Sequence, residues 1–246
     1  MTRFIRTALL TVAVAALAVP GVSAVAQSAR PTVAIMYFNN NVFTKDARDF
    51  DGLSKGVPDF LITEMSANTG IRVIERDQVQ KLIDEQKLVG AGQVDLATAA
   101  KVGKLLGAQH MIFGGFMADP NGNFRIDARA VNVETGAIEY TERVQDRSDN
   151  VMSLIGTLAT RLNAGLKLPA MPVRTGDAGA APGARQAGAP TVAKLPMRYA
   201  VMYGKALDME DKGDKVHAAE LYGAVLKEFP DYAPARHGMA KVKPGS

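Results

Sequence analysis

Between Pro169 and Lys194 the chain loses its apolar periodicity and becomes a run of Gly, Ala, Pro and Arg, TGDAGAAPGARQAGAP at its centre. Such a composition cannot bury enough apolar surface to offset its conformational entropy, so 169–194 reads as a disordered linker, flexible at Gly and locally stiff at Pro. The chain is thereby expected to fold as two pieces, over 31–168 and 195–242. Neither can be stapled covalently, because the sequence contains no cysteine and hence no disulfide.

Residues 1–26 have the layout of a secretory signal peptide. Arg3 and Arg6 are followed by an apolar stretch from Ala8 to Val19 and by the small residues Val22-Ser23-Ala24-Val25-Ala26. The apolar stretch is shorter than the roughly 20 residues that span a bilayer. Two small-x-small patterns place cleavage near residues 24–26. Without cysteine there is no site for an N-terminal thioether lipid. The expected product is a soluble periplasmic protein, with peripheral association with the outer membrane left open. The formal charge of +4 falls by two when Arg3 and Arg6 depart. That balance, with no Lys/Arg stripe and no Trp, excludes a charge-driven nucleic-acid partner.

The first piece predicts an α/β fold. Thr32 to Phe38 is an apolar run suited to a strand covered on both faces, before a turn at Asn39-Asn40-Asn41. Leu53, Val57, Phe60, Leu61 and Met65 then recur at helical spacing, with Pro58 as the dissonant residue. Ile71 to Glu75 reads as a second strand, and Asp77 with Gln80 as the cap of a second helix, which turns Val79, Leu82 and Ile83 inward. After Gly90-Ala91-Gly92, Asp95 caps a third helix, with Leu96, Ala99, Ala100, Gly103 and Leu106 on one face. Met111 to Phe116 is a strand, Asp119-Pro120-Asn121-Gly122 a hairpin turn, and the next strand alternates Phe124, Ile126, Ala128 and Ala130 against Arg125, Asp127 and Arg129. Glu134-Thr135-Gly136 turns into a last strand, Ile138 to Val144. Asp149 then caps a helix bearing Leu154, Ile155, Leu158 and Leu162. The order β-α-β-α-α-β-β-β-α gives a mixed five-stranded sheet with covering helices. The second piece predicts a C-terminal helical hairpin: Tyr199 to Lys212, a break at Gly213, a cap at Asp214 and a helix to Phe229, with a third segment open after Pro234.

On these residues the first piece resembles the curli assembly/transport component (CsgG-like) family and, more distantly, the N-terminal α/β domain of TolB-like proteins. The resemblance is carried by Val33-Ala34-Ile35-Met36-Tyr37-Phe38-Asn39-Asn40, by Gly52-Leu53 to Met65, by Ile71 to Leu88, by Thr98 to Gly107 and by Arg129 to Gly136. It implies a non-enzymatic accessory of envelope assembly or secretion. In the family's best-known branch the subunits form a lipid-anchored outer-membrane ring lined by extra β-hairpins. This chain departs from that branch in lacking the lipid-bearing Cys and in having tight turns at 119–122 and 134–136, so a secretion-channel subunit is the alternative reading. Tyr199 to Pro234 resembles a tetratricopeptide repeat, with Ala206, Gly213, Ala218, Tyr222 and Pro230 at the family's spacing and Lys205 where Leu is usual. One such unit cannot close a core alone. It has to pack on the α/β domain, on a second copy or on a partner.

Catalytic patterns are lacking in the sequence. His110, His217 and His237 are isolated, with no second ligand at i+3 or i+4, and read as solvated or core-edge residues. There is no G-x-S-x-G elbow and no thiol. Gly114-Gly115 lacks the further glycine and helix of a phosphate loop and reads as close packing of a strand on a helix. Glu75-Arg76-Asp77 and Asp84-Glu85 read as a cap and a solvated face. The expectation is a protein that is not an enzyme and carries no cofactor or metal. Its partners are envelope proteins, with homo-oligomerisation open, and a small-ligand module would need a pocket. Candidate protein-binding residues are Phe43, in the long loop from Asn39 to Asp51, and Tyr203, Tyr222 and Tyr232, read as surface or groove aromatics of the tail.

Overall fold

The structure, a computed structural model, describes residues 30–87, 94–119, 121–171 and 195–243. The leader, the Gly90-Ala91-Gly92 break, Pro120 and most of the linker lie outside the described residues.

Strand β1 (Thr32–Asn40) leads into helix α1 (Leu53–Ser66), a short β2 (Arg72–Val73), α2 (Arg76–Gln86) and α3 (Leu96–Leu106). Strands β3 (His110–Ala118), β4 (Asn123–Asn132) and β5 (Ile138–Arg147) follow, then α4 (Val151–Gly165). The sheet order is β2-β1-β3-β4-β5. β1 is parallel to β2 and β3, and β3, β4 and β5 form an antiparallel meander. This is the mixed sheet expected from the order of elements, with crossovers in its first half and tight turns in its second.

Two apolar layers flank the sheet. On one face Val33, Ile35, Phe116, Ile126 and Val144 pack with residues of α1 and α4. On the other, Ala34, Met36, Met111, Phe113 and Val131 pack with residues of α2 and α3. Strand parity would send Phe38 to the second layer. A register shift between Ile35 and Phe38 inserts one extra residue in β1 and returns Phe38 to the first. That bulge explains Gly114, where a Cβ would lie 2.8 Å from the Phe38 ring and 2.1 Å from the Asp127 carbonyl oxygen. At Gly115 a Cβ would meet the Asn41 amide at 2.3 Å. The glycine pair thus makes room for a ring, a neighbouring strand and a loop amide, not for a helix as its sequence suggested.

Several boundaries differ from the sequence reading for local reasons. β1 continues through Asn39 and Asn40, whose side chains bond Val94 and Asp51 instead of turning the chain. The N-cap of α2 is Glu75, not Asp77, and it makes no side-chain cap bond. The Asp77 carboxylate is engaged by Arg76 and Lys241. Asp95 does cap α3, accepting from the Thr98 N–H at 2.7 Å. Leu96 of that helix is exposed, and Val102 takes the buried place beside Ala99 and Gly103.

The tail holds three helices, α5 (Met197–Asp211), α6 (Lys215–Glu228) and α7 (Ala233–Val242). Gly213 turns α5 into α6 at φ +77°, and Asp214 caps α6 by accepting from the His217 N–H at 3.2 Å. The tail does not stand alone. Leu195, Tyr199, Ala200, Tyr203 and Leu207 join the same apolar cluster as α1 and α4. The approach of α5 to α1 is at backbone distance. A Cβ on Gly204 would sit 1.9 Å from the Gly52 carbonyl oxygen, and one on Gly52 2.4 Å from the Val201 carbonyl oxygen. Glycine is required at this crossing because no side chain fits between the backbones. Gly204→Ala is therefore expected to destabilise the folded chain by about 1–3 kcal/mol through overpacking, read as a lower midpoint in urea unfolding.

Candidate binding seam

The tail meets the α/β domain along a seam built on α1, the start of α2 and all three tail helices. At its centre Arg76 opens α2, where a cation opposes the helix dipole, and Asp211 closes α5, where an anion does. Each is poorly placed on its own helix, and each is placed for the other. The Arg76 guanidinium, whose side chain is only 4% exposed, donates through Nη1 to both Asp211 oxygens at 2.8 and 2.7 Å. Nη2 donates to Asp77 at 2.9 Å, and Nε lies 3.7 Å from Asp59. Lys55 on α1 adds bridges to Asp208 at 3.0 Å and Asp211 at 2.7 Å, while Lys241 on α7 pairs with Asp77 and lies 3.7 Å from Glu210. Every one of these cations joins an acid across the seam. Burial lowers the Arg76 pKa, and Asp211, Asp59 and Asp77 together outweigh it, so the net direction is upward.

Beside this network the tyrosines converge. Tyr203 stacks on Phe60 of α1 with centroids 5.4 Å apart and meets Tyr222 at 5.8 Å and Tyr232, edge-on, at 5.5 Å. Its hydroxyl donates to Asp59 Oδ2 at 2.7 Å, and that of Tyr222 donates to Glu210 at 2.5 Å. Burial pushes all three phenols above their ordinary pKa, so they stay neutral donors. Burial likewise raises the Asp59 carboxyl, which the Tyr203 bond and Arg76 only partly offset.

A cavity of about 680 Å³ opens between the two pieces, lined by all three tyrosines, Asp59, Phe60, Arg76 and Lys241 among others. Its size is that of an ordinary ligand site. Of the sequence-proposed residues, Tyr203, Tyr222 and Tyr232 are therefore brought together, but they are 3%, 0% and 6% exposed and form the inner wall of the seam, not an outer surface. The physical reason is the docking of α5 on α1, which turns the aromatic side of the tail inward. Phe43 stands apart from the cavity, 86% exposed, with Val42 buried beneath its loop. Asp59 and Asp211 went unread in the sequence, and Arg76, read there within a cap and a solvated face, is buried. The available signal was a cation at a helix start and an anion at a helix end.

The other sheet face presents Arg125, Asp127, Arg129, Thr141 and Arg143 around a second hollow, with Asp127 accepting from Arg125 at 2.6 Å and Arg143 at 2.7 Å. His110 bonds Glu139, His217 bonds its own cap Asp214, and His237 lines the seam cavity. Among the described residues no group of three His, Cys, Asp or Glu could hold a metal ion, and no helix is long and apolar enough to cross a membrane.

Residues 16–121 match the model of the family described as curli production assembly/transport component CsgG. That stretch is similar to the family. The match ends ahead of β4, β5 and α4 and does not reach the tail. No curated protein matches the chain. Among solved structures, lipoprotein GNA1162 from Neisseria meningitidis aligns at 14% identity and TM-score 0.39, covering 55% of this chain and 94% of that one. The LpoB C-terminal domain from Escherichia coli aligns at 14% and 0.35, covering 53% and 88%. A PelC dodecamer from Paraburkholderia phytofirmans aligns at 13% and 0.31, covering 56% and 89%. Superpositions this loose say nothing about function.

The seam's carboxylates act in opposite senses with pH. Burial pushes Asp77 and Asp208 up, but the hydrogen bonds and charges of Lys241 and Arg76 at Asp77, and of Lys212 and Lys55 at Asp208, outweigh it and leave both lowered. Their contribution is present above the unfolded value of about 4 and is lost as pH falls through the depressed folded values. Asp59 is raised, so its charged form costs stability, and that cost disappears as pH falls through its folded value. The thermal midpoint is expected to rise on mild acidification and then to fall in stronger acid. Asp59→Asn should remove the rise and keep the fall.

Proposed function

We propose that this chain is a non-enzymatic accessory of cell-envelope assembly or secretion that works by binding protein partners, with the α/β domain and the tail acting as one body. The envelope assignment is supported by the CsgG-like match and by the signal-peptide layout of residues 1–26, which together favour a periplasmic protein with peripheral association to the outer membrane. The observation that carries the binding role is the seam: a tail of tetratricopeptide-like spacing docked on α1 so that an aromatic, carboxylate-lined cavity stays open between them. A docked repeat offers a preformed site, which lowers the ordering cost that a free tail would carry on binding. The accessory reading is preferred over a channel subunit because tight turns join β3 to β4 and β4 to β5, and all three strands are paired within the one sheet. Phe43, on the loop after β1, offers a second contact point.

The test is photo-crosslinking in the native host from a residue replacing Asp231, at the rim of the cavity, with Glu85 on the outer side of α2 as the control position. A discrete protein adduct from position 231 and none from 85 is the expected result. A protein that forms no adduct, stays monomeric and is dispensable for envelope integrity would contradict the proposal.

A further inference from the structure

The seam cavity is unbalanced in charge. Asp59, Glu75, Asp77, Glu210 and Asp231 line it, against Arg76 and Lys241, with His237 at its rim. Both cations are already committed, Arg76 to Asp211 and Asp77, Lys241 to Asp77 and Glu210. Tyr faces attract cations through their quadrupole, so the aromatic wall and the carboxylates favour the same kind of guest. The floor of Phe60, Met152 and Leu207 accepts an aliphatic stem.

A second observation is independent of the acids. Tyr232 is 6% exposed and lines the cavity, yet its hydroxyl has no hydrogen-bond partner among the described residues. The hydroxyl opens on the cavity, where it can accept from a guest's donor. Asp59 lines the same cavity: its Oδ2 accepts from Tyr203, and its Oδ1 lies 3.7 Å from Arg76, which Asp211 already satisfies.

We infer that the cavity receives a lysine or arginine side chain carried on a segment of a partner protein, its cationic head between Asp59 and the Tyr232 hydroxyl and its stem along Phe60. This rests on the protein-binding reading above and names the chemistry that the partner presents. The occupant is a side chain and not a whole helix because about 680 Å³ is the volume of a small ligand.

The probe is a short fluorescein-labelled peptide alternating lysine with leucine and alanine, titrated by anisotropy into the chain from residue 27 to its end, beside a counterpart with glutamate for lysine. Binding of the lysine peptide alone is expected, weakened roughly tenfold by Tyr232→Phe and by Asp59→Asn, as befits loss of a bond to a charged group. Tyr232→Phe should leave the thermal midpoint in place, since it removes no bond within the chain, and so separates a binding loss from misfolding. Equal binding by both variants, or by the glutamate peptide, overturns the inference. So does competition by free arginine amide at the peptide's own affinity, which assigns the cavity to a small cation. Binding that emerges only after deletion of residues 174–192 also overturns it, in favour of the chain's own linker. Adducts from position 231 without peptide binding would sink this inference and leave the broader reading standing; peptide binding without adducts would do the reverse.

Discussion

A guanidinium at 4% exposure governs how this protein is put together. Removing a charge from water costs several kcal/mol unless it is paired and hydrogen-bonded, so Arg76 cannot be buried by the α/β domain on its own resources. Asp77 and Asp59 come from that domain, but the partner that takes two contacts from Nη1 is Asp211, the last residue of the first tail helix. The tail is thereby an electrostatic component of the domain. The glycine crossing of Gly204 over Gly52 then brings α5 close enough to α1 for Tyr203 to reach Asp59 and stack on Phe60.

The same arrangement explains why the tyrosines are not surface residues. A single repeat unit cannot close a core, and here it closes one by borrowing α1. That solution hides Tyr203 and Tyr222, while the space left between α7, α1 and the start of α2 remains open as a cavity. The exposed part of this seam is its mouth, where Asp231, Glu75 and His237 lie open. A site composed at the junction of two pieces is joined to the folding of both, so binding and docking share one energetic currency.

Much of the α/β fold was legible because its signals are local. The Asp119–Gly122 and Glu134–Gly136 turns, the Asp95 cap and the alternation of Phe124, Ile126, Ala128 and Ala130 each act within a few residues, and the sheet follows from them. The bulge that brings Phe38 back to the α1 side was invisible, since period-two patterning cannot show an inserted residue inside a wholly apolar strand. Asp77 reads as a cap because one of its two partners, Lys241, lies far along the chain. The seam was illegible for the same reason: nothing near Tyr203 indicates Asp59, and the intervening linker composition argues for separation. Only the misplaced charges, Arg76 at a helix start and Asp211 at a helix end, hinted that each needed something distant.

The central claim, that tail and domain form one body held across the seam, is tested most directly by cutting the chain between them. With a specific protease site placed within residues 172–194, the cleaved protein is passed over a sizing column at neutral pH and at physiological salt. Co-elution of the fragment beginning near Leu195 with the α/β fragment, undone by Arg76→Gln, is the result expected here. Separation of the two fragments in the unmutated protein would show that only the linker holds them together and would remove the seam as a site.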